Sequence, residues 1–295
     1  MTIAEQVAVA AKVARKPLKF YIDRVIRYAG LTFVGLVLFT PFILAFLGSF
    51  KTNAEIIAWP PTFLPSEWHF ENWAKLFSTD FGRGATFLRW LFNTAFLSIA
   101  TALLQLLFCS MAAYAFARLR FRGRGAIFNF LLASMMIPGA VTLVPKYVLL
   151  AKLHLVNTYW ALLLPGAVGT FGIFLLTQFF KSIPRELEEA ALVDGASHFQ
   201  IYSRIILPLA RPALLTLFIL QFQGMWNNFL DPLLYLQTPD MWTLNIALMS
   251  FQQQYRENWN ITLVGAMVNA APILLLFLFF SKYYIEGISY TGLKG

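Results

Sequence analysis

A chain of 295 residues that is 59% hydrophobic and 13% charged, with a net charge of +9, does not read as an ordinary soluble domain, in which about a quarter of residues are charged. Its 30 phenylalanines leave more apolar surface than one soluble core can hide, so lipid is expected as the second solvent. The positive charge does not point to nucleic acid, because the bases cluster beside the apolar runs and not along one recognition helix.

In chain order, residues 1–27 form a basic segment carrying Lys12, Arg15, Lys16, Lys19, Arg24 and Arg27. It lacks the short apolar core and small-residue cleavage site of a signal peptide. A membrane helix needs roughly 20 apolar residues to cross the hydrocarbon layer. The runs Tyr28–Phe50, Trp90–Phe116, Ala126–Leu150, Tyr159–Phe180, Pro212–Tyr235 and Thr262–Tyr284 meet that length, so residues 28–295 are expected to make one six-span unit. Cys109, the single cysteine, lies inside the second run and is expected to pack as a small hydrophobe. The third run contains Pro138 and Pro145, the fourth Pro165.

Basic short loops stay in the cytoplasm. Most of the 23 lysines and arginines fall on one side of this layout: the N-terminal segment, the loop "RLRFRGRG" with Arg118, Arg120, Arg122 and Arg124, and the segment 181–211 with Lys181, Arg185, Arg204 and Arg211. Both termini are therefore expected to be cytoplasmic. The opposite side carries Trp59, Trp68 and Trp73, read as an aromatic belt at the interface, and His154, read as a turn residue.

The segment 181–211 is unusual for an oily chain, because four of the fourteen acids fall in it within residues 186–194. Ser182 is expected to cap a first helix and Pro184 to open it, with Glu186, Glu188 and Glu189 at the positive end of its dipole. Leu187, Ala190, Ala191 and Asp194 share one narrow face of small side chains. Gly195 should end the helix in the left-handed region, Ser197 and Gln200 should box the start of a second helix, and Pro208 should close that one. A helix lying on anionic lipid would show Lys and Arg on its polar face, so a carboxylate-bearing helix pair with exposed alanines suits docking into a groove on another protein.

The same stretch, "EAALVDGASHFQIYSRIILP", matches E-A-A-x3-G-x9-I-x-L-P at Glu189, Ala190, Ala191, Gly195, Ile205, Leu207 and Pro208. In this the chain resembles the membrane subunits of binding-protein-dependent ABC importers. "WNNFLDPLLYL" and the ending "YIEGISYTGLKG" resemble the maltose-type branch that imports sugars and related polyols.

The resemblance implies an all-α integral membrane protein of the inner membrane, with a cytoplasmic coupling-helix pair between spans four and five. It further implies a second, non-identical membrane subunit, two ATPase subunits below and an extracytoplasmic solute-binding protein above. On that reading Glu189 supplies a charged contact to the ATPase, Ala190 and Ala191 permit close approach, Asp194 belongs to the same coupling segment, Gly195 sets the angle between the helices, and Ile205, Leu207 and Pro208 fasten the second helix to the fifth span. No phosphate-binding G-x-x-x-x-G-K-[ST] occurs in the chain, so ATP and Mg are expected on the partner ATPases, with no cofactor on this chain.

Polar residues within spans are costly and mark pathways. The cluster "QFQGMWNNFLDP" offers Trp226, Asn227, Asn228 and Asp231, chemistry suited to a sugar ring and its hydroxyls, and Asn93 and Asn269 are added as candidates for the substrate path. Gln252, Gln253 and Gln254 lie where related transporters project a loop into the binding protein. The chief rival is a secondary transporter of a small polar solute. It would ordinarily show inverted repeats and intramembrane coupling charges, and here Asp231 is nearly the only acid within a span. An intramembrane enzyme would need converging acid–base residues, whereas His69, His154 and His198 lie in different loops.

Overall fold

The computed structural model describes the backbone of residues 18–79, 85–254 and 259–292, and the side chains of 20–79, 85–250 and 259–280. Among these residues the secondary structure is entirely helical. Helices α1 (Leu18–Gly48), α4 (Phe87–Arg118) and α14 (Trp259–Gly292) are long and apolar, and α7 (Trp160–Gly166) and α8 (Thr170–Ser182) together form a fourth such element. Two further candidates are bent pairs. Helices α5 (Arg124–Ser134) and α6 (Gly139–Lys152) meet at 101°, and α10 (His198–Leu209) meets α11 (Arg211–Trp226) at 77°. Counting each bent pair as one span gives six.

The third run is therefore not one continuous helix. Pro138 cannot donate a backbone hydrogen bond and biases its predecessor away from helix, and it occupies the N-cap of α6 at ψ 134°. Pro145, in contrast, is accommodated within α6. The fifth run also ends early: α11 stops at Trp226, and α12 (Leu230–Tyr235) resumes after a break. At the other end of the chain α1 begins at Leu18, so residues 18–27 of the basic segment are its first turns and not a separate unit.

Helix α4 is the hub, packed against both α8 and α11. Thr86 caps it, accepting a bond from the Arg89 amide at 3.2 Å. Helices α4, α8 and α11 cross closely at Gly172, where a Cβ would sit 3.1 Å from Cys109 Sγ and 3.2 Å from Leu217. Small residues permit this approach in a bundle where lipid supplies no hydrophobic drive between helices. Cys109 is fully buried there, as expected of a small hydrophobe.

In contrast, α1 packs against little but α14, and Phe33, Leu36 and Leu38 are exposed. A helix apolar all round and uncovered by its own chain is what lipid or a second membrane subunit would cover.

Beyond the end of α1 the chain folds into a cap made of α2 (Asn53–Ile57) and α3 (Glu71–Ser78). Lys51 is buried and donates to Thr62, while Glu55 Oε1 accepts from the amide and hydroxyl of Ser66, both at 2.9 Å. The three tryptophans do not share one environment. Trp59 is exposed, whereas Trp73 stacks on Phe50 and donates to Ser49 Oγ at 3.2 Å. His154 takes a turn conformation at φ 55°.

Candidate functional site

The acidic segment folds as helix α9 (Glu186–Val193), a glycine turn, and helix α10. Its turn is a Schellman motif, in which the Gly195 amide donates to the Leu192 carbonyl at 3.0 Å and the Ala196 amide to Ala191 at 2.9 Å. Gly195 sits at φ 82°, the left-handed region that an L side chain resists. Ser197 and Gln200 form the reciprocal capping box.

Two local expectations are corrected. The Ser182 hydroxyl bonds back to Phe179 within α8, and α9 starts at the Arg185 cap without a side-chain partner, one residue past Pro184. Nor does Pro208 end α10. A wide turn at Tyr202–Ile206 lets the Leu207 amide reach the Tyr202 carbonyl, and the helix runs on to Leu209. A π-turn before a proline re-routes bonds that the ring would otherwise disrupt.

The hairpin is fastened to the C-terminal end of α4. Ile201, Tyr202 and Ile206 are buried against Tyr114, Phe180 and Leu217, and the Tyr202 hydroxyl lies 2.7 Å from Ser110 Oγ. Ile205 and Leu207 are half-buried and pack against the same core, while Pro208 is exposed, so they share the fastening with Ile201, Tyr202 and Ile206. Arg118 makes the second tie. Its Nε is 2.6 Å from Glu188 Oε1, its Nη2 donates to the Ile183 carbonyl at 2.6 Å, and the two side chains are only 4% and 12% exposed. Burial pushes the Glu188 carboxyl above the usual carboxylate range, against the pull of Arg118, Arg185 and His198.

Glu188 thus faces inward, while Glu186, Glu189, Ala190, Val193 and Asp194 face outward. Ala191 turns partly into the core, so the small-residue face is split between two surroundings. The tie was missed in the sequence, where Arg118 counted only as one of four loop arginines. The available signal was a base at the end of an apolar helix opposite an acid-rich segment.

The polar residues of the spans divide in the same way. Asn93 is fully buried. It donates to the carbonyls of Asp240 (2.8 Å) and Trp242 (3.0 Å) and accepts from the Tyr159 hydroxyl at 2.7 Å. Trp226 is 2% exposed, stacks on Phe222, and donates to the Asn269 carbonyl, while Asn269 Nδ2 donates to Asn245 Oδ1 at 2.9 Å. All three join elements inside the bundle; Asn93 and Trp226 present almost no surface to a solute, whereas Asn269 is half-buried. Asn227 is exposed at the end of α11.

Asn228 and Asp231 do line a cleft, together with Lys146, which was not expected there. Lys146 Nζ donates to Asp231 Oδ1 at 2.9 Å and lies over the Tyr235 ring at 5.6 Å, and Asn228 Nδ2 donates to Asp231 Oδ2 at 3.2 Å. A lysine within "VTLVPKYVLL" was the overlooked signal. Gln252, Gln253 and Gln254 end helix α13 (Leu244–Gln254), and their side chains lie outside the described residues.

Residues 105–287, covering both the hairpin and the cleft-lining helices α6, α11 and α12, match the family described as binding-protein-dependent transport system inner membrane component. The arabinooligosaccharides transport system permease protein of Halalkalibacterium halodurans is 36% identical over 268 residues, 90% of this chain and 95% of that protein. Its counterpart from Bacillus subtilis is 35% identical over 264 residues, 89% and 92% of the two chains. The sulfoquinovosyl glycerol transport system permease protein of Agrobacterium fabrum is 29% identical over 296 residues, spanning 100% of this chain and 99% of that one. A crystal structure of a bacterial ABC transporter involved in the import of the acidic polysaccharide alginate shares the fold, with a TM-score of 0.77 at 24% identity over 92% of this chain and 99% of that one. The chain belongs to the inner membrane components of binding-protein-dependent transport systems and is the permease subunit of an ABC importer.

Proposed function

We propose that this permease carries a sugar or related polyol, delivered by an extracytoplasmic binding protein, and that its acidic hairpin is the cytoplasmic seat of the ATPase that drives the transport. A second, non-identical membrane subunit completes the pathway, and two ATPase subunits bind the ATP and Mg. On this reading both termini are cytoplasmic. The sugar assignment is supported by relatives named for arabinooligosaccharides and for sulfoquinovosyl glycerol.

The coupling assignment is supported by one observation: within two turns of α9, Glu188 is locked to Arg118 while Glu189, Ala190 and Val193 stand free of the bundle. An exposed acidic and apolar edge on a rigidly anchored helix suits insertion into a partner's groove. Closure of two ATPases could then rock the spans as rigid bodies. A secondary transporter needs no such handle.

The test is a photo-crosslinker at position 189 in membranes that contain the whole importer. Adducts with an ATPase subunit, and its co-purification with tagged permease, are expected. Adducts with lipid alone, together with no ATPase in the purified complex, would overturn the assignment.

A further inference from the structure

Four arginines from two distant segments converge on one cavity at the root of the hairpin. Arg118 ends α4, Arg120 and Arg124 flank the turn into α5, and Arg185 is the N-cap residue of α9. With Phe121 they line a space of about 360 Å³. The preference of basic loops for one side of the membrane asks only that arginines lie on that side, not that they converge. Like charges repel, so bases gathered around one cavity call for anions to balance them.

Within the chain that balance is incomplete. Arg118 is held by Glu188 at 2.6 Å, and Arg124 Nη1 donates to the Leu119 carbonyl at 3.0 Å. Arg120 and Arg185 are exposed and make no hydrogen bond through their side chains, nor any ion pair, among the described residues. The start of α5 adds to the positive field, because Gly123 caps it without a side-chain bond and its first turn carries no acid. Guanidinium groups present forked donors that match phosphate oxygens two at a time. Phosphate is the chemistry this cavity fits.

The surroundings decide which phosphate. The cavity lies at the end of α4, a helix long and apolar enough to span a membrane, and therefore at the level of the membrane surface. An uncovered apolar stripe leads away from it: Phe121 lies on its wall, and Ile127 and Phe130 follow three and six positions after Arg124 on α5. Phe130 is 75% exposed. Lys181 lies over the Phe128 ring at 5.4 Å and brings a further base beside the same helix. A soluble anion would fill the cavity and leave this stripe bare, whereas a phospholipid covers both. A zwitterionic headgroup would carry its own cation into the cluster, so the charges favour an anionic lipid.

We propose that the cavity seats the headgroup of an anionic phospholipid whose acyl chains lie along α5. The site goes beyond the transport reading above and needs only that the chain spans a membrane.

The test uses the assembled importer in nanodiscs that contain photoactivatable phosphatidylglycerol or photoactivatable phosphatidylcholine, each with a diazirine on one acyl chain. Adducts within residues 121–130 should be several-fold more abundant with phosphatidylglycerol. Arg120→Gln and Arg185→Gln each remove a base that has no partner in the bundle. Each should lower that preference about fivefold, the usual worth of one basic residue at an anionic surface. Arg122→Gln removes an exposed base of the same loop that does not line the cavity, and it should leave the preference unchanged. If Arg185→Gln loosens α9, Arg120→Gln in the loop before α5 carries the test alone.

Equal labelling by the two lipids, or no labelling of this segment, overturns the seat. An equal loss in Arg122→Gln also overturns it, because it shows diffuse attraction to a charged surface. Suppression of the labelling by millimolar inorganic phosphate assigns the cavity to a soluble anion and overturns the lipid as its occupant.

Discussion

At Gly195 the constraint is torsional. Its φ of 82° lies where an L side chain costs about 1–2 kcal/mol, and a β-branched one more, yet a Cβ there would meet nothing within 4 Å. A substitution should therefore be graded by backbone preference and not by size. Asparagine visits the left-handed region readily, so Gly195→Asn should keep ATP hydrolysis and uptake coupled in reconstituted vesicles. Gly195→Val should assemble but hydrolyse ATP with little uptake. Equal effects of the two would show that the turn conformation is not what matters. This residue was readable from the sequence, as were Ser197 and Gln200, because caps and turns act over three or four positions. Ser182 and Pro208 were misread for a related reason. A serine hydroxyl can serve the helix before it as well as the one after it, and a π-turn can absorb a proline.

Among the elements, the tie that matters most joins α9 to α4 through Arg118 and Glu188, which lie 70 positions apart and show no periodic relation in the chain. Removing one partner of a buried ion pair leaves the other charge stranded, at roughly 3–5 kcal/mol. The Glu188 edge is not fully enclosed, so Arg118→Ala should fall near 3 kcal/mol. It should appear as faster amide exchange across residues 186–193, with α8 and α11 little changed. Unchanged exchange would mean that Tyr202 and Ile206 alone hold the hairpin. The same scale explains the breaks at residues 135–138 and 227–229. Hydropathy reports that a run is apolar enough to cross a membrane, but not whether it crosses as one rod. The positions of Pro138 and of the Asn227–Asn228 pair hinted at interruptions, whose angles depend on the helices they pack against.

For the whole molecule, the hairpin and the cap of α2 and α3 sit at opposite ends of α4, a helix of 32 residues and so about 48 Å long. An importer needs this separation between a motor below and a delivering protein above. If Gln252, Gln253 and Gln254 meet the binding protein, replacing all three by alanine should lower uptake several-fold while the free binding protein keeps its sugar affinity. Unchanged transport would remove that contact. By itself the sequence determined that this is a multi-span helical membrane protein with an acidic elbow of the importer type. Hydropathy, capping and a twenty-residue signature are properties of short stretches, and short stretches are written in order. The tertiary structure alone decided which polar side chains are consumed inside the bundle and which remain open. Asn93 and Asn228 are the same residue type, and only folding decides that one is buried against the carbonyls of Asp240 and Trp242 while the other lines a cleft beside Asp231.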